Sequence, residues 1–422
     1  MIHLIKPILT LLLCGLGLIL FAKEAGMEVK VSRIFLGHNL GIKSAVFSPD
    51  GTKILTASWD STARLWDLNG IMLANFHGHP NQVVSAVFSP DGNKVLTADR
   101  DGTARLWDLN GQTLATFKGH TLGINSAVLS PDGTKILTGS YDATARLWDL
   151  NGFSLTIFKG HKHSISSAIF SPDGTKVLTA SYDKTSRLWD LKGQIITTFR
   201  GHKDMVRSAV FSSKGTMILT TSWDKTARLW DLNGQERAVI NGGATAFVKT
   251  AVISPDGSKV LTASGDGTAL LWNLNGQTLK TYKGHTNGPN SAIFSPDGSK
   301  ILTTSEDKIA RLWNLNGQIL ATFHGHTNWV NSGVFSPDGT TILTCSEDET
   351  ARLWDIPNEL LQLRDDLLIP DQSLQLPGQS LQLPDESWKP RHYIILLALC
   401  AVVAAIVLRF RALIVKFKRL FS

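Results

Sequence analysis

One pattern of about 41 residues is repeated eight times along this chain. Each copy is a variation on a Gly-His pair, an apolar run closed by Ser-Pro-Asp-Gly, a second run ending in Ser-x-Asp, and a final Leu-Trp-Asp or Leu-Trp-Asn. The closing tryptophans are spaced by 41 residues, with a single step of 42, and are Trp66, Trp107, Trp148, Trp189, Trp230, Trp272, Trp313 and Trp354. A unit this short cannot bury its own apolar face, so the copies must stack against one another. The repeat therefore predicts one domain over residues 29–358.

Turn residues divide each copy into four strands. In the first copy the strands are predicted at residues 43–48, 53–58, 62–68 and 72–77. Pro-Asp-Gly separates the first two strands, and Asn-Gly, which is suited to a two-residue hairpin, separates the last two. Short antiparallel units of this kind can be arranged radially. The predicted fold is therefore all-β, an eight-bladed β-propeller of four-stranded antiparallel blades.

The two ends of the array predict how the ring closes. Residues 29–38 match the fourth-strand pattern but precede any complete copy, whereas no such strand follows Trp354. We therefore expect residues 29–36 to supply the fourth strand of blade eight. This arrangement leaves no unpaired strand at the join.

These features resemble the WD-repeat family of β-propellers. The resemblance rests on the Gly-His pair, the Ser/Thr and Asp around the middle hairpin and the closing Trp-Asp, and it spans residues 29–358. It implies a hydrogen-bonded tetrad of His, Ser/Thr, Asp and Trp within each blade, and a buried indole N–H does require an acceptor. In the first three blades the tetrads are implied at His38, Thr56, Asp60 and Trp66, at His79, Thr97, Asp101 and Trp107, and at His120, Thr138, Asp142 and Trp148.

The sixth copy departs from this pattern. Gly242-Gly243 replaces Gly-His, Leu270 replaces the usual arginine, and Asn273 replaces the closing aspartate. The sequence therefore predicts an incomplete tetrad in blade six and an irregular junction between blades five and six.

Apolar segments flank the repeats. Residues 1–22 resemble a signal peptide or an uncleaved signal anchor. Residues 393–415 predict a transmembrane helix, because they begin with an uncharged apolar run and can be extended if Arg409 and Arg411 reach towards the lipid headgroups. The proline-containing residues 359–392 predict a linker, and residues 416–422 predict a basic tail.

The distribution of lysine and arginine predicts the orientation in the membrane. Two basic residues precede the second apolar run and five follow it, so the tail is expected in the cytoplasm and the propeller on the extracytoplasmic side. A cytosol-facing propeller with a tail anchor is the alternative. The same seven residues account for the net charge of +7, so the rest of the chain is balanced and nucleic-acid binding is not expected.

The repeated polar residues argue against catalysis. Equivalent His, Asp and Thr residues around a ring do not form one converging constellation, so we expect the tetrads to be structural. The three cysteines provide neither a disulfide framework nor a metal-binding spacing, and Pro-Asp-Gly is ordinary turn chemistry. The sequence therefore predicts no enzyme activity, no cofactor and no metal.

Positions that differ between copies are the candidates for binding. The resemblance implies that partners dock on the rim just before the tetrad aspartate and at the start of the first strand. The first set is Trp59, Arg100, Tyr141, Tyr182, Trp223, Gly265, Glu306 and Glu347, and the second includes Lys43, Asn125, Arg207, Phe247, Lys249, Trp329 and Asn331. Aromatic residues and arginine are favoured at binding hot spots. We expect a face that is basic and aromatic over blades one to six and acidic over blades seven and eight, although these residues could instead only fill the rim or interact with solvent.

The predicted function follows from these observations. The chain is expected to be a monomeric, membrane-anchored scaffold that binds protein or peptide partners through this face. A propeller enzyme or small-ligand binder that uses the central channel is one alternative, and the cytosol-facing scaffold is the other.

Overall fold

Eight antiparallel sheets surround a central channel in the computed structural model, which describes residues 26–241 and 246–362. The first strands of neighbouring sheets contact one another around the channel, and the fourth strands form the outer edges. The predicted eight-bladed propeller of four-stranded antiparallel blades is confirmed.

Two short strands precede the first blade and belong to the last two blades; they are β1 (Met27–Glu28) and β2 (Arg33–Phe35). Blade one contains β3 (Ile42–Phe47), β4 (Lys53–Ser58), β5 (Ala63–Asp67) and β6 (Met72–Phe76). Blade two contains β7 (Val83–Phe88), β8 (Lys94–Asp99), β9 (Thr103–Asp108) and β10 (Thr113–Lys118). Blade three contains β11 (Ile124–Leu129), β12 (Lys135–Ser140), β13 (Ala145–Asp149) and β14 (Ser154–Phe158). Blade four contains β15 (Ile165–Phe170), β16 (Lys176–Ser181), β17 (Thr185–Asp190) and β18 (Ile195–Arg200).

The second half of the ring repeats this arrangement. Blade five contains β19 (Val206–Phe211), β20 (Met217–Ser222), β21 (Thr226–Asp231) and β22 (Glu236–Asn241). Blade six contains β23 (Val248–Ile253), β24 (Lys259–Ser264), β25 (Thr268–Asn273) and β26 (Thr278–Lys283). Blade seven contains β27 (Pro289–Phe294), β28 (Lys300–Ser305), β29 (Ala310–Asn314) and β30 (Ile319–Phe323). Blade eight contains β31 (Val330–Phe335), β32 (Thr341–Ser346) and β33 (Ala351–Asp355), and a short helix, α1 (Asn358–Leu361), follows it.

Local turn chemistry produces these strands. In blade one the Gly51 N–H donates to the Ser48 carbonyl at 2.8 Å, and Gly51 has a φ of 72°, which glycine adopts without strain. Asp50 accepts a hydrogen bond from the Thr52 N–H at 3.0 Å and so reinforces the turn. Because neighbouring strands are antiparallel, these turns and the third-to-fourth turns share one face of the ring, which we call the bottom face. The other connections define the top face.

Apolar side chains fill the space between adjacent blades. Leu55 and Phe76 of blade one lie in one buried cluster with Val83 and Trp107 of blade two. The rings of Phe76 and Trp107 are 5.7 Å apart, a separation typical of packed aromatic pairs. A blade therefore buries its apolar faces only against its neighbours, as the repeat length required.

The chain closes the ring by returning β2 to blade eight. This strand pairs antiparallel with β33, with Phe35 opposite Ala351, and it supplies the fourth strand. The strand is limited to Arg33–Phe35 and does not extend over the predicted residues 29–36. The preceding β1 instead pairs in parallel with β30 of blade seven, with Met27 opposite Ala321. The sequence did not predict this fifth strand.

The predicted flanking segments lie almost entirely outside the described residues. This applies to residues 1–22, to the transmembrane helix at 393–415, to the tail at 416–422 and to the linker beyond residue 362. The start of the predicted linker is partly α1, whose Leu360 is buried in the cluster that contains Leu320 and Val29. In the part of the chain that the structure describes, no helix has the length and apolar character needed to cross a bilayer.

Candidate functional site

The most regular polar feature is a hydrogen-bonded chain beneath the top face, and blade four shows it clearly. Trp189 Nε1 donates to Thr179 Oγ1 at 2.8 Å, and Thr179 Oγ1 lies 2.8 Å from His161 Nε2. His161 Nδ1 lies 2.8 Å from Asp183 Oδ2. Burial lowers the pKa of His161, and although Asp183 opposes this effect the imidazole is neutral near pH 7. Because a carboxylate can only accept, Nδ1 carries the proton and Nε2 accepts from the Thr179 hydroxyl.

The carboxylate at the end of this chain is held in its ionised form. Burial alone would raise the pKa of Asp183, but the hydrogen bonds that it accepts from its partners outweigh burial and hold the pKa well below its usual range. These partners include His161, the Thr185 hydroxyl at 2.6 Å and the Lys162 N–H at 3.0 Å. Every position of the tetrad is therefore engaged in holding the loops of the blade together.

The same chain recurs around the ring. The predicted residues of blades one and three form it, and the other complete sets are His202, Thr220, Asp224 and Trp230, then His285, Thr303, Asp307 and Trp313, and His326, Thr344, Asp348 and Trp354.

Blade two corrects one predicted residue. His79 Nδ1 is 2.9 Å from Asp99 Oδ2, and Asp101, which the pattern placed in the tetrad, is exposed. Asp99 also accepts hydrogen bonds from the Asp101 N–H at 3.1 Å and the Thr103 N–H at 3.0 Å. In blade one the equivalent two hydrogen bonds are accepted by two residues, Ser58 and Asp60. The residue after His79 is Pro80, which has no N–H, whereas in blade four Lys162 donates at this point. Asp101 would therefore lack one of the usual donors.

Blade six retains only half of the chain among the described residues. Trp272 Nε1 donates to Thr262 Oγ1 at 2.9 Å, and Thr268 Oγ1 donates to Asp266 at 2.7 Å. Leu270 is buried where blade seven has Arg311, which forms an ion pair with Asp307 at 3.0 Å. The predicted Gly242-Gly243 substitution lies outside the described residues.

The tetrads do not converge on a common point, since each is buried inside its own blade. Within residues 26–241 and 246–362 no group of three or more His, Cys, Asp or Glu residues is placed to hold a metal ion. The arrangement stabilises the blades, and binding chemistry must be sought on the surface above them.

Three aromatic rings form a continuous surface on the top face across blades four to six. The ring of Tyr182 lies 6.5 Å from that of Trp223, and Trp223 lies 6.1 Å from Phe247. Gly265 occupies the equivalent rim position in blade six, and a side chain there would contact the Phe247 ring. Trp223 and Phe247 are exposed. We call Tyr182, Trp223 and Phe247 the aromatic run.

Three cations from blades one, two and five lie on the top face around the upper end of the channel. Burial lowers the pKa of Lys43 of blade one, and so does the positive charge of Arg207 on blade five. Cys345 and Glu347 oppose this shift, and Arg100 of blade two adds a smaller lowering. All three side chains reach water, and within the described residues none has an ion-pair or hydrogen-bond partner. We call Lys43, Arg100 and Arg207 the cationic mouth. Its charge is positioned to attract an anionic group.

The acidic rim residues of blades seven and eight, Glu306 and Glu347, are both hydrogen-bonded to other side chains. Glu306 accepts from Lys249 Nζ at 2.5 Å, so two predicted site residues neutralise each other. Glu347 accepts from Asn331 Nδ2 at 2.8 Å, and the same nitrogen is 2.9 Å from the Ile42 carbonyl of blade one. These residues mainly join neighbouring blades.

Other predicted residues lie on the rim without joining the aromatic run. Asn125 Nδ2 donates to the Ile165 carbonyl of blade four at 2.9 Å, which is a structural contact between blades. Trp59 and Tyr141 are half-buried, and Trp329 is exposed on blade eight. Ser166 and Asn290 make equivalent contacts between blades and were not among the predicted residues. Each is the second residue of a first strand, so an alignment of the copies at that position could have found them.

The lower end of the channel is apolar. One cavity of about 560 Å³ is lined by Val46, Phe47, Phe88, Val334 and Phe335 together with prolines of the bottom turns. The channel therefore has a charged upper end and an apolar lower end, and the two ends would suit different ligands.

An eight-bladed propeller with a buried Trp-Thr-His-Asp chain in its blades defines the class of protein. A family model described as "IFT122 first beta-propeller" matches residues 41–287, which is more than half of the chain, and the model "WD domain, G-beta repeat" matches residues 276–314 and 317–355. The chain belongs to the WD-repeat β-propeller family, as the sequence predicted. The fold of this family suggests a protein-interaction scaffold.

Two individual similarities agree with this assignment. A 37-residue stretch is 54% identical to "Cross-pathway control WD-repeat protein 2" of Flammulina velutipes and covers 9% of this chain and 12% of that protein. The crystal structure of the computationally designed protein Ika8 is similar with a TM-score of 0.69 and 25% sequence identity, and the match covers 78% of this chain and 100% of Ika8.

Proposed function

We propose that this protein is a membrane-tethered, non-catalytic scaffold that binds an acidic peptide segment of a partner protein on its top face. The observation that supports this proposal is the combination of the aromatic run with the unpaired cationic mouth. Exposed aromatic rings provide rigid contact area at low entropic cost, and unpaired cations favour carboxylates.

The proposed peptide would use both surfaces. An aromatic or aliphatic side chain would pack against Trp223, where Tyr182 and Phe247 flank it. Acidic side chains would reach Lys43 and Arg207, which have no competing ion pair among the described residues. The Lys249–Glu306 pair, by contrast, is already neutralised. Binding should therefore depend on Lys43 and Arg207 more than on Lys249.

Two double variants test this proposal. Replacing Tyr182 and Trp223 by alanine should weaken binding of the partner by about 2 kcal/mol or more, which is roughly 30-fold in Kd, because hot-spot aromatic residues contribute on this scale. Replacing Lys43 and Arg207 by glutamate should weaken binding similarly and should reverse its salt dependence, because attraction becomes repulsion. Partners captured from membranes would be identified by mass spectrometry, and their affinities would then be measured across a salt series.

Matched controls are present in the same molecule. Trp329→Ala removes an exposed tryptophan of the top face outside the aromatic run, and Phe153→Ala removes an exposed aromatic residue near the bottom face. Both should retain the partner. Loss of the partner in these controls, or full binding by both double variants, would refute the proposed surface.

A small anion is the second candidate ligand, and the proximity of Lys43 to Arg207 favours it. In this case inorganic phosphate or a small dicarboxylate would bind to the purified protein, as measured by calorimetry. Binding would be lost in the Lys43→Glu and Arg207→Glu double variant but retained when Tyr182 and Trp223 are replaced.

The membrane tether and its orientation rest on the sequence. An uncharged apolar run with five basic residues after it supports a spanning helix with a cytoplasmic tail. An export segment at residues 1–22 would place the propeller outside the cytoplasm, where it could hold partners near the membrane.

Protease accessibility tests this orientation. Protease would be added to cells whose outer membrane has been permeabilised. We expect it to degrade the propeller while an epitope fused after residue 422 stays protected. A cytoplasmic marker protein must remain intact in the same sample. Protection of the propeller with digestion of the C-terminal epitope would instead establish the cytosol-facing, tail-anchored alternative.

A further inference from the structure

Three top-face positions recur in every blade, and the strand order places them in sequence from the channel outwards. The inner position is the second residue of the first strand, the rim position follows the second strand, and the outer position lies two residues later, at the approach to the third strand. In blade five these positions hold Arg207, Trp223 and Lys225. A cation therefore stands on each side of the central ring of the aromatic run.

This arrangement distinguishes blade five from the other blades. Blade four has Tyr182 and Lys184 at the rim and outer positions, but a serine at the inner position. Blade one has Lys43 and Trp59 at the inner and rim positions, but a serine at the outer position. Blade seven has a lysine at the outer position and a glutamate at the rim. Among the described residues, only blade five combines a cation, an aromatic ring and a second cation.

Both cations of blade five are available to a ligand. Arg207 and Lys225 are exposed, and in the part of the chain that the structure describes neither side chain has an ion-pair or hydrogen-bond partner. The exposed Lys203 adds to the outer side, because its N–H donates to Asp224 Oδ2 at 2.8 Å and so holds it over the same hairpin. The neighbouring Asp204 accepts a hydrogen bond from the N–H of the residue after it at 2.8 Å. A carboxylate that approaches Lys225 therefore meets an unpaired ammonium group.

We propose that the bound partner segment carries acidic side chains on both sides of the hydrophobic side chain that packs on Trp223. This inference rests on the proposed function and specifies the sequence that the top face selects. One carboxylate pairs with Arg207 on the channel side, and another pairs with Lys225 on the outer side. Neighbouring strands are about 4.8 Å apart, so β19 and β21 are about 10 Å apart, which roughly three residues of extended chain span. The segment therefore crosses blade five radially in the order acidic, hydrophobic, acidic.

A peptide fits this arrangement better than a single-stranded nucleic acid does. Single strands stack successive bases on aromatic rings while a basic groove follows one continuous backbone. The aromatic run does not lie along such a groove. The inner position beside Tyr182 is a serine, and the inner lysine of blade six, Lys249, is paired with Glu306. Phosphates that followed the run would meet an unpaired inner cation at blade five and not at blades four and six.

Three labelled peptides test the inference by fluorescence anisotropy with the full-length chain in detergent. The first has two glutamates on each side of a phenylalanine, the second has all four glutamates before the phenylalanine, and the third has serine in place of the phenylalanine of the first. The first should bind about fivefold more tightly than the second at equal net charge, because only the first places a carboxylate near each cation. The third should bind about tenfold more weakly than the first, because nothing packs on Trp223.

One pair of variants isolates the outer cation. Lys225→Glu should weaken binding of the first peptide about fivefold, to the level of the second. Lys308→Glu is the matched control, because Lys308 occupies the same loop position in blade seven, with a φ of 70° against 72° for Lys225. The N–H of each lysine also donates to the carbonyl of a serine three residues earlier. Because no aromatic ring stands at the rim of blade seven, the control should leave the Kd unchanged.

Four results would overturn the inference. They are no measurable binding of the first peptide, equal affinity of the first and second peptides, equal losses in Lys225→Glu and Lys308→Glu, and tighter binding of an oligothymidylate of equal charge that is lost in Lys225→Glu. The last result would assign the surface to a nucleic acid. A captured protein partner that depends on Tyr182 and Trp223 while the first two peptides bind equally would leave the proposed function standing without this inference.

Discussion

The variant Asp99→Ser should fold with little loss of stability, whereas the double variant Asp99→Ser with Asp101→Ala should be severely destabilised. In the single variant the loop of blade two regains the Ser-x-Asp pattern of blade one, so Asp101 can take over as the acceptor for His79. In the double variant no carboxylate remains to accept from His79 Nδ1. Both His79 and Asp99 side chains are fully buried, so the unpaired group cannot be compensated by water.

The expected magnitudes distinguish these cases clearly. Asp101→Ala alone should change the free energy of unfolding by no more than about 0.5 kcal/mol, because Asp101 is exposed. Asp99→Ser alone should cost less than about 1 kcal/mol. Asp101 would replace Asp99 as the acceptor for His79, and the remaining cost arises because Pro80 has no N–H to donate to Asp101. The double variant should cost about 3–5 kcal/mol, because the His79 Nδ1–H and the Thr103 N–H both lose their acceptor inside the blade. Urea denaturation followed by tryptophan fluorescence measures all three values.

The sum of the two single effects is the essential comparison. A double variant that loses at least about 2 kcal/mol more than this sum would show that the two carboxylates can substitute for each other. Additive effects would mean that Asp101 cannot reach His79, and a large loss in Asp101→Ala alone would restore the tetrad that the repeat pattern predicts.

Phe35→Ala should destabilise the ring by about 3–5 kcal/mol, because it removes a buried aromatic residue at the closure. Phe35 is 1% exposed and lies in the cluster that joins blade eight to blade one. Its ring packs edge-on against Trp66 at 5.8 Å, and its strand is the fourth strand of blade eight. The loss should lower the urea midpoint and leave the other blade interfaces intact in the folded state.

Ile34→Ala provides the matched control for this prediction. Ile34 is in the same strand but is 37% exposed, so its removal should cost no more than about 1 kcal/mol. Similar losses in both variants would mean that backbone pairing of β2, and not the packing of Phe35, closes the ring. No loss in either variant would mean that closure contributes little to stability.

The repeat made most of the fold predictable. Its turn residues recur at constant spacing, so the number of strands, the number of blades and the closing role of the first segment follow from the sequence. The tetrad residues could also be predicted, because the same residue types recur at the same spacing in nearly every copy. Blade two is the exception, since Asp99 and Asp101 both stand near the middle hairpin in the sequence and only the folded loop, beside Pro80, shows that Asp99 accepts from His79.

The sequence predicted which positions lie on the candidate binding surface, but it did not predict which of these side chains contact one another. Lys249 and Glu306 appeared to be free site residues, but the fold pairs them across neighbouring blades. Lys43 and Arg207 are far apart in the sequence, and only closure of the ring directs both towards the upper end of the channel.

By itself, the sequence determined that this chain must form eight stacked four-stranded units, because each copy carries its own turns and apolar alternation within local reach. Only the tertiary structure decided which positions remain available for binding. Whether a cation is paired, or whether a strand edge is covered as it is in blade seven, depends on contacts between residues that the repeat itself treats as equivalent.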